Sequence, residues 1–69
     1  MTDIEISITG IGETSQISIT SGATVEDVLR KLGLNVSAQI VLRGKTPIPI
    51  DEIVMEGDEL RVIETFSGG

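Results

Sequence analysis

The 69-residue sequence contains no cysteine and no histidine, and its single aromatic residue is Phe66. Without cysteine, disulfides, thiolate metal ligands and a cysteine nucleophile are excluded. Without histidine, the commonest general base and the commonest metal ligand are missing. A chain this short buries only about 60% of its unfolded surface, so it forms a single small domain. We therefore expect no catalytic residue, no metal site, no bound cofactor and a protein that is not an enzyme.

Basic residues are also scarce, with 5 Lys and Arg against 11 Asp and Glu, and the net charge is −6. A phosphate backbone would repel this surface, and one aromatic residue offers no stacking platform, so we expect no nucleic-acid partner. No apolar run approaches the ~20 residues that span a bilayer. The first residues, Met1 to Asp3, lack the features of a signal peptide. We expect a soluble, cytoplasmic monomer whose acidic surface meets a basic face of a protein partner.

The N-terminal third of the chain alternates between apolar and polar residues. Ile4, Ile6 and Ile8 are separated by polar residues, and the same period resumes at Ile17 and Ile19. A glycine-containing loop lies between the two runs. This pattern predicts a β-hairpin with one apolar face.

The hydrophobic period changes after residue 23. Thr24 followed by Asp27 predicts a capping box at a helix N-terminus. Gly33 is placed to end that helix in a left-handed conformation. The apolar residues between them fall on one helical stripe: Val25, Val28, Leu29 and Leu32.

The remaining segments predict two or three further strands. Pro47 and Pro49 limit ladder hydrogen bonds between them, so that piece is an edge strand or an irregular return. The other predicted pieces are a strand at 39–43, a turn at Gly44-Lys45, a turn at 55–58 and a last strand from Glu59 to about Phe66. The order ββαββ predicts an α+β fold with one helix packed on one small sheet.

The chain closes on Gly68-Gly69. Two glycines bury nothing and cost the most backbone entropy, so a folded domain gains no stability from them. A tail without Cβ atoms can instead slide into a narrow active site and present its carboxylate there. The plain alternative is a frayed terminus.

Several segments, taken in order, resemble the β-grasp fold of ubiquitin-like proteins. They are the hairpin loop Gly12–Ser15, the run Arg43–Pro49, the turn Glu56–Glu59 and the terminal Gly68-Gly69. In size the chain is most similar to the archaeal small ubiquitin-like modifiers and to the sulfur carriers of thiamine and molybdopterin synthesis. The resemblance implies a mixed sheet of four to five strands, with the first and last strands parallel at its centre. It also implies a β-grasp domain over residues 1–66 and a flexible tail over residues 67–69.

The resemblance further implies a function. An activating enzyme would use ATP to adenylate the carboxylate of Gly69. The adenylate would become a thiocarboxylate, which donates sulfur for tRNA thiolation, molybdopterin or thiamine synthesis, or it would be joined to lysines of target proteins. Gly68 would give access to the enzyme, and Thr65, Phe66 and Ser67 would complete the arm that enters it. Two alternatives stay open: a non-covalent β-grasp binding module with an inert tail, and a structural subunit that pairs through a sheet edge.

Alternation along the last strand predicts a docking face for the activating enzyme. If Leu60 and Val62 point inward, Ile63 points outward. In the third strand we expect Val41 outward and its two neighbours, Ile40 and Leu42, inward. By resemblance, Val41 and Ile63 then fall where ubiquitin carries its apolar binding patch, with Ile11 near the third member of that patch. Isolated exposed aliphatic residues are the plain alternative.

Three further features have two interpretations each. Phe66 anchors in a groove of the activating enzyme or caps the core of its own domain. Lys45 lies where ubiquitin has a chain-linking lysine, which implies self-conjugation, although a solvated turn lysine is the default. The acidic residues between positions 51 and 59 match no calcium loop, so we expect a solvated face there: Asp51, Glu52, Glu56, Asp58 and Glu59.

Overall fold

A computed structural model describes residues 2–10 and 13–65, which form one five-stranded mixed sheet and one α-helix. The strands lie in the order β2-β1-β5-β3-β4. This is the predicted β-grasp arrangement, with a short edge strand as its fifth member. In chain order the elements are β1 Asp3–Gly10, β2 Glu13–Thr20, α1 Val25–Lys31, a 3₁₀ turn Val36–Ala38, β3 Gln39–Arg43, β4 Thr46–Ile48 and β5 Glu59–Glu64.

The first and last strands lie side by side at the centre of the sheet, as predicted. β1 and β5 run parallel, with Ser7 opposite Glu59 and Thr9 opposite Arg61. On its other side, β5 pairs antiparallel with β3. Because β5 is flanked on both sides, the chain that follows it leaves from the middle of the sheet.

The predicted hairpin is present and regular. β1 and β2 pair one to one from Asp3 opposite Thr20 to Gly10 opposite Glu13. The alternation places Ile4, Ile6 and Ile8 of β1 in the core. On β2, only Ile19 is fully buried, because this strand forms an edge of the sheet.

Helix α1 begins at the predicted capping box. The amide of Asp27 donates to Thr24 Oγ1 at 3.4 Å, and the amide of Thr24 donates to Asp27 Oδ2 at 3.0 Å. Two further amides of the first turn, those of Val25 and Glu26, donate to the backbone carbonyls of Glu52 and Ile50. The helix N-terminus is therefore bound both by its own side chains and by the segment between β4 and β5.

The helix ends as predicted, with Gly33 at φ +74°. The Gly33 amide donates to the Arg30 carbonyl and the Leu34 amide to the Leu29 carbonyl, both at 3.0 Å. These two bonds form a Schellman motif, which satisfies carbonyls that the last turn leaves open. An alanine at Gly33 would have to adopt the left-handed conformation that costs roughly 1–2 kcal/mol.

One hydrophobic core joins the helix to the inner face of the sheet. The described residues 2–10 and 13–65 contain no buried polar or charged residue. The most deeply buried side chains are Ile6, Val25, Val28, Leu29, Val54 and Leu60.

No helix within residues 2–10 and 13–65 is long and apolar enough to cross a membrane.

The predicted orientation of β3 is wrong. Val41, expected outward, is 3% exposed, whereas Ile40, expected inward, is 44% exposed. Val41 lies opposite the buried Val62 of β5, and cross-strand partners share a face of the sheet. Residues 40–42 are all apolar, so the sequence contains no alternation from which the inward positions could be chosen.

Candidate functional site

An apolar patch covers the outer face of the sheet, opposite helix α1, on strands β3, β4 and β5. Ile40 and Ile63 lie directly opposite each other, and each is 44% exposed. Leu42 follows on the same face of β3 and lies opposite Pro47 of β4. We call these four residues the outer patch: Ile40, Leu42, Pro47 and Ile63. Exposed aliphatic partners on adjacent strands form a contiguous contact surface, unlike singly scattered ones.

Positive charge lies beside the outer patch. Arg61 is exposed on β5 opposite Leu42, and Lys45 is exposed in the turn between β3 and β4. Both line a shallow hollow together with Ser7 and Glu59. In a chain with net charge −6, this face therefore combines apolar contact area with two of the five basic side chains.

The predicted outward orientation of Ile63 is confirmed, but Val41 does not belong to this surface. Val41 is buried in the core, and Ile40 occupies the exposed position beside Ile63. Ile11, the third predicted member, lies outside the described residues. A partner protein therefore cannot contact the Val41 side chain unless the sheet opens.

The segment that follows β5 is attached to the body of the domain at Thr65. Its backbone amide donates to the Ala38 carbonyl at 2.7 Å, and its hydroxyl donates to the same oxygen at 3.0 Å. Thr65 was predicted to belong to the arm that enters the enzyme. The structure instead fixes it to the end of the 3₁₀ turn, so any extension from the domain begins after Thr65. Phe66, Ser67, Gly68 and Gly69 lie outside the described residues.

A hollow of about 430 Å³ opens beside this attachment. Its walls include the apolar side chains of Ile8, Leu32, Leu34 and Val62. Gln39 also borders it, and its Nε2 atom is buried without a hydrogen-bond partner within residues 2–10 and 13–65. The end where β5 finishes therefore combines an apolar hollow with a buried, unpartnered amide nitrogen.

The opposite end of β5 is organised by Arg43, a residue whose role the sequence did not reveal. Its guanidinium donates at 3.0 Å to Glu52 Oε2, to Asp58 Oδ2 and to the Ile53 carbonyl. The hydrogen bond to Glu52 is the largest cause that raises the pKa of Arg43. The hydrogen bond to Asp58 and the negative charges of both carboxylates raise it further, whereas desolvation lowers it. Asp58 Oδ2 also accepts from the amide of Met55.

These contacts give part of the acidic segment a structural role. Glu52 and Asp58, expected to form part of a solvated face, bind Arg43 and hold the 52–58 segment against β3. Across the part of the chain that the structure describes, no three His, Cys, Asp or Glu side chains are grouped to hold a metal ion. The neighbouring sequence does not indicate that Arg43 forms ion pairs, because the two carboxylates that it binds lie 9 and 15 residues later in the chain.

A five-stranded β-grasp sheet with parallel β1 and β5 defines a ubiquitin-like protein. The chain belongs to the small archaeal modifier protein 2 family, whose profile matches residues 2–66. The sulfur carrier protein TtuB of Thermus thermophilus is 30% identical over 57 residues, which cover 83% of this chain and 88% of that protein. An uncharacterized protein of Archaeoglobus fulgidus is 33% identical over 49 residues, 71% of this chain and 72% of that protein.

Solved structures support the fold. The ubiquitin of Caldiarchaeum subterraneum superposes with a TM-score of 0.74 at 19% identity, covering 99% of this chain and 100% of that one. SAMP1 from Haloferax volcanii superposes with a TM-score of 0.73 at 22% identity, covering 94% of this chain and 99% of that one.

Proteins of the family are modifiers and sulfur carriers and not enzymes. Family membership therefore implies an activating enzyme as a partner.

Proposed function

We propose that this chain is a modifier and sulfur carrier that is activated at the carboxylate of Gly69. The activating enzyme joins that carboxylate to the α-phosphate of ATP and releases pyrophosphate. Sulfide then displaces AMP to give a thiocarboxylate, or the amine of a target lysine displaces AMP to give an isopeptide bond. A carboxylate needs this step because oxide is a poor leaving group, whereas the AMP of the mixed carboxylic–phosphoric anhydride is a good one.

Family membership is the observation that carries this proposal, since both a modifier family and a sulfur carrier match most of the chain. The arrangement of β5 supports it. The strand is central and ends at Glu64, Thr65 is bonded to the Ala38 carbonyl, and Gly68-Gly69 follow after two residues. We propose residues 1–66 as the folded unit and 67–69 as the tail. Gly68 admits the tail to a narrow site, and Phe66 and Ser67 contact its entrance.

The first test is the mass of the protein recovered from its native host. Replacement of one oxygen by sulfur at Gly69 would show the carrier product. Target proteins digested with trypsin would retain residues 62–69 on lysines, because the enzyme cleaves after Arg61. Both products together would show a dual function. If neither product forms under conditions where the protein is needed, the chain is a non-covalent binding module and the proposal fails.

Activation can be measured directly by pyrophosphate exchange with the host's activating enzyme. Removal of Gly69 should abolish exchange while the circular dichroism and thermal midpoint stay unchanged, because a glycine has no side chain that could pack in the core. Gly68→Ala should slow it, because a Cβ is added where the tail threads the enzyme. Equal exchange by the truncated chain and the full chain would contradict activation at Gly69.

We propose that the outer patch docks on the activating enzyme. Ile63→Ser should lower kcat/KM for adenylation by about tenfold, since a few residues near the centre of an interface carry most of its binding energy. Ile53→Ser is the matched control, because Ile53 is 52% exposed but lies on the segment between β4 and β5. A similar loss in both variants would show that the effect does not come from the outer patch.

Lys45 is proposed as an acceptor for conjugation between copies of the chain. Its side chain is exposed in the β3–β4 turn, and the sequence holds one other lysine, Lys31. Lys45→Arg should remove linked dimers from conjugation reactions, whereas Lys31→Arg should leave them. Dimers that persist in the Lys45 variant would assign the linkage elsewhere.

A further inference from the structure

The two neighbours of β5 end at different points along it. The parallel pairs with β1 stop at Thr9 opposite Arg61, and β1 itself ends at Gly10. The antiparallel pairs with β3 continue further, to Gln39 opposite Glu64. The chain that follows Glu64 is therefore held from the β3 side of the sheet.

The 3₁₀ turn Val36–Ala38 ends the β3–β5 ladder at Thr65. In a hydrogen-bonded antiparallel pair, each residue donates its amide to the carbonyl of the other. Here the Thr65 amide donates to the Ala38 carbonyl at 2.7 Å, but the Ala38 amide donates to the Asn35 carbonyl at 3.0 Å. The Thr65 hydroxyl supplies the second bond to the Ala38 carbonyl, at 3.0 Å. We call these two bonds from Thr65 to Ala38 the anchor.

Asn35 fixes the turn that carries the acceptor of the anchor. Its Oδ1 atom accepts from the Ser37 amide at 3.1 Å and from the Ser37 hydroxyl at 2.9 Å. With the bond from the Ala38 amide, three bonds to Asn35 hold this turn closed. Asn35 therefore acts on the chain that follows β5 although it lies far from it in sequence.

A fixed anchor limits how far the carboxylate of Gly69 can reach. Four residues, 66–69, follow Thr65. Fully extended, four residues span at most about 14 Å. A chain that threads a narrow site is extended, so one residue more or less moves its carboxylate by about 3.5 Å. A displacement of about 1 Å can already cost about a hundredfold in rate.

We propose that Thr65 and Asn35 are positioning residues that set the length of the arm presented to the activating enzyme. Given the proposed activation at Gly69, on which this inference rests, the anchor lets residues 66–69 enter the enzyme and holds the preceding chain outside. The α-phosphate of ATP then lies within about 14 Å of Thr65 in the docked complex. Both residues act through the Ala38 carbonyl and not on the reacting atoms.

The test begins with a change in the length of the tail. Deletion of Ser67 shortens the arm by one residue and should lower pyrophosphate exchange by about a hundredfold. Ser67→Ala keeps the length and should cost at most about fivefold, as for most residues of an interface. Exchange with the host's activating enzyme is measured at saturating concentrations of the chain, so that differences in docking do not contribute.

Loss of the anchor should have opposite effects on the two tail lengths. Thr65→Pro removes both donors of the anchor, the amide and the hydroxyl. In the full chain it should lower exchange about fivefold, because one further residue must be ordered in the enzyme. In the chain without Ser67, the released residue restores about 3.5 Å of reach, and exchange should rise about tenfold. A purely structural role of Thr65 would lower exchange at both lengths.

Asn35 tests the same anchor from its other side. Asn35→Ala removes the oxygen that accepts from Ser37 and should change exchange about two- to threefold, downward in the full chain and upward in the chain without Ser67. Asn35→Asp keeps an acceptor oxygen and should behave as the native residue does. This pair of variants decides the question if Thr65→Pro does not fold.

Three results would each overturn the proposal. They are a Thr65→Pro effect of the same sign at both tail lengths, an Asn35→Asp loss equal to that of Asn35→Ala, and native exchange by the chain without Ser67. Removal of Gly69 separates this inference from the proposed function. If that truncated chain still exchanges pyrophosphate, activation at Gly69 fails and the anchor has no arm to position. If it does not exchange and the reversal is absent, the role of the anchor alone fails.

Discussion

The two ends of β5 are held in different ways. Where the strand begins, Arg43 binds two carboxylates and a carbonyl, and the Ser7 amide donates to Asp58. Where it finishes, Thr65 makes two bonds to a single acceptor, the Ala38 carbonyl, beside the hollow that contains Gln39. We call these regions the arginine end and the exit end.

The difference shows how a small domain can combine stability with a reactive terminus. The N-terminus of α1 is also bonded to the segment at the arginine end. The backbone amides of Val25 and Glu26 donate to the carbonyls of Glu52 and Ile50. Many bonds therefore join β1, β3, α1 and the 52–58 segment at the end of β5 that lies away from Thr65. Disturbing the exit end should then alter the presentation of the tail while leaving most of the global stability intact.

The largest expected effect comes from Arg43→Met. The substitution removes three hydrogen bonds and leaves Asp58, whose side chain is 14% exposed, without its cation. We expect the free energy of unfolding to fall by about 2–3 kcal/mol, measured by urea denaturation. Arg61→Met is the control, since Arg61 is exposed and has no ion pair within residues 2–10 and 13–65. An equal loss in both variants would show that the bonds of Arg43 contribute little.

A smaller effect is expected from Thr24→Ala, at the helix terminus attached to the arginine end. The variant loses the oxygen that accepts from the Asp27 amide, which should lower stability by about 1 kcal/mol. Thr24→Ser keeps that oxygen and should stay within about 0.5 kcal/mol of the native chain. If the serine variant is as unstable as the alanine variant, the capping bond is not the cause.

At the exit end, Thr65→Val tests the attachment to Ala38. It removes the hydroxyl donor but keeps a β-branched residue and the amide, so global stability should fall by only about 0.5–1 kcal/mol. Native-state hydrogen exchange should show the larger consequence, with faster exchange at the Thr65 amide and no change at the Ser7 amide. Acceleration of both amides would mean that the two ends open together.

The smallest expected effect concerns pH. The pKa of Arg43 is raised in the folded state, so its contribution to stability is complete below its ordinary value and is lost only as pH rises through the higher one. The difference in unfolding free energy between the native chain and Arg43→Met should therefore stay constant from about pH 7 to about pH 10. A decline within that interval would show that another group titrates with the guanidinium.

Local signals predicted most of the fold. The alternating isoleucines give β1, while Thr24, Asp27 and Gly33 mark both ends of α1. Each of these features depends on neighbours within a few residues. The parallel pairing of β1 and β5 was predicted from family resemblance, because nothing local links strands at opposite ends of the chain.

The features that sequence did not predict depend on distant partners. Residues 40–42 are uniformly apolar, so the inward position of Val41 is fixed by Val62 and Ile48 on neighbouring strands. Thr65 finds its acceptor 27 residues earlier, at Ala38. The outward position of Ile63 was consequently predicted, but the choice between Ile40 and Val41 was not.

The central position of β5 has a consequence for synthesis on the ribosome. β5 occupies the place between β1 and β3, so a nascent chain that lacks it has no continuous sheet. Pairing strands from opposite ends of the sequence also delays folding until the last segment is available. A partner that recognised the outer patch, which includes Ile63 of β5, would thereby distinguish chains that contain a folded β5 from chains that stop before it.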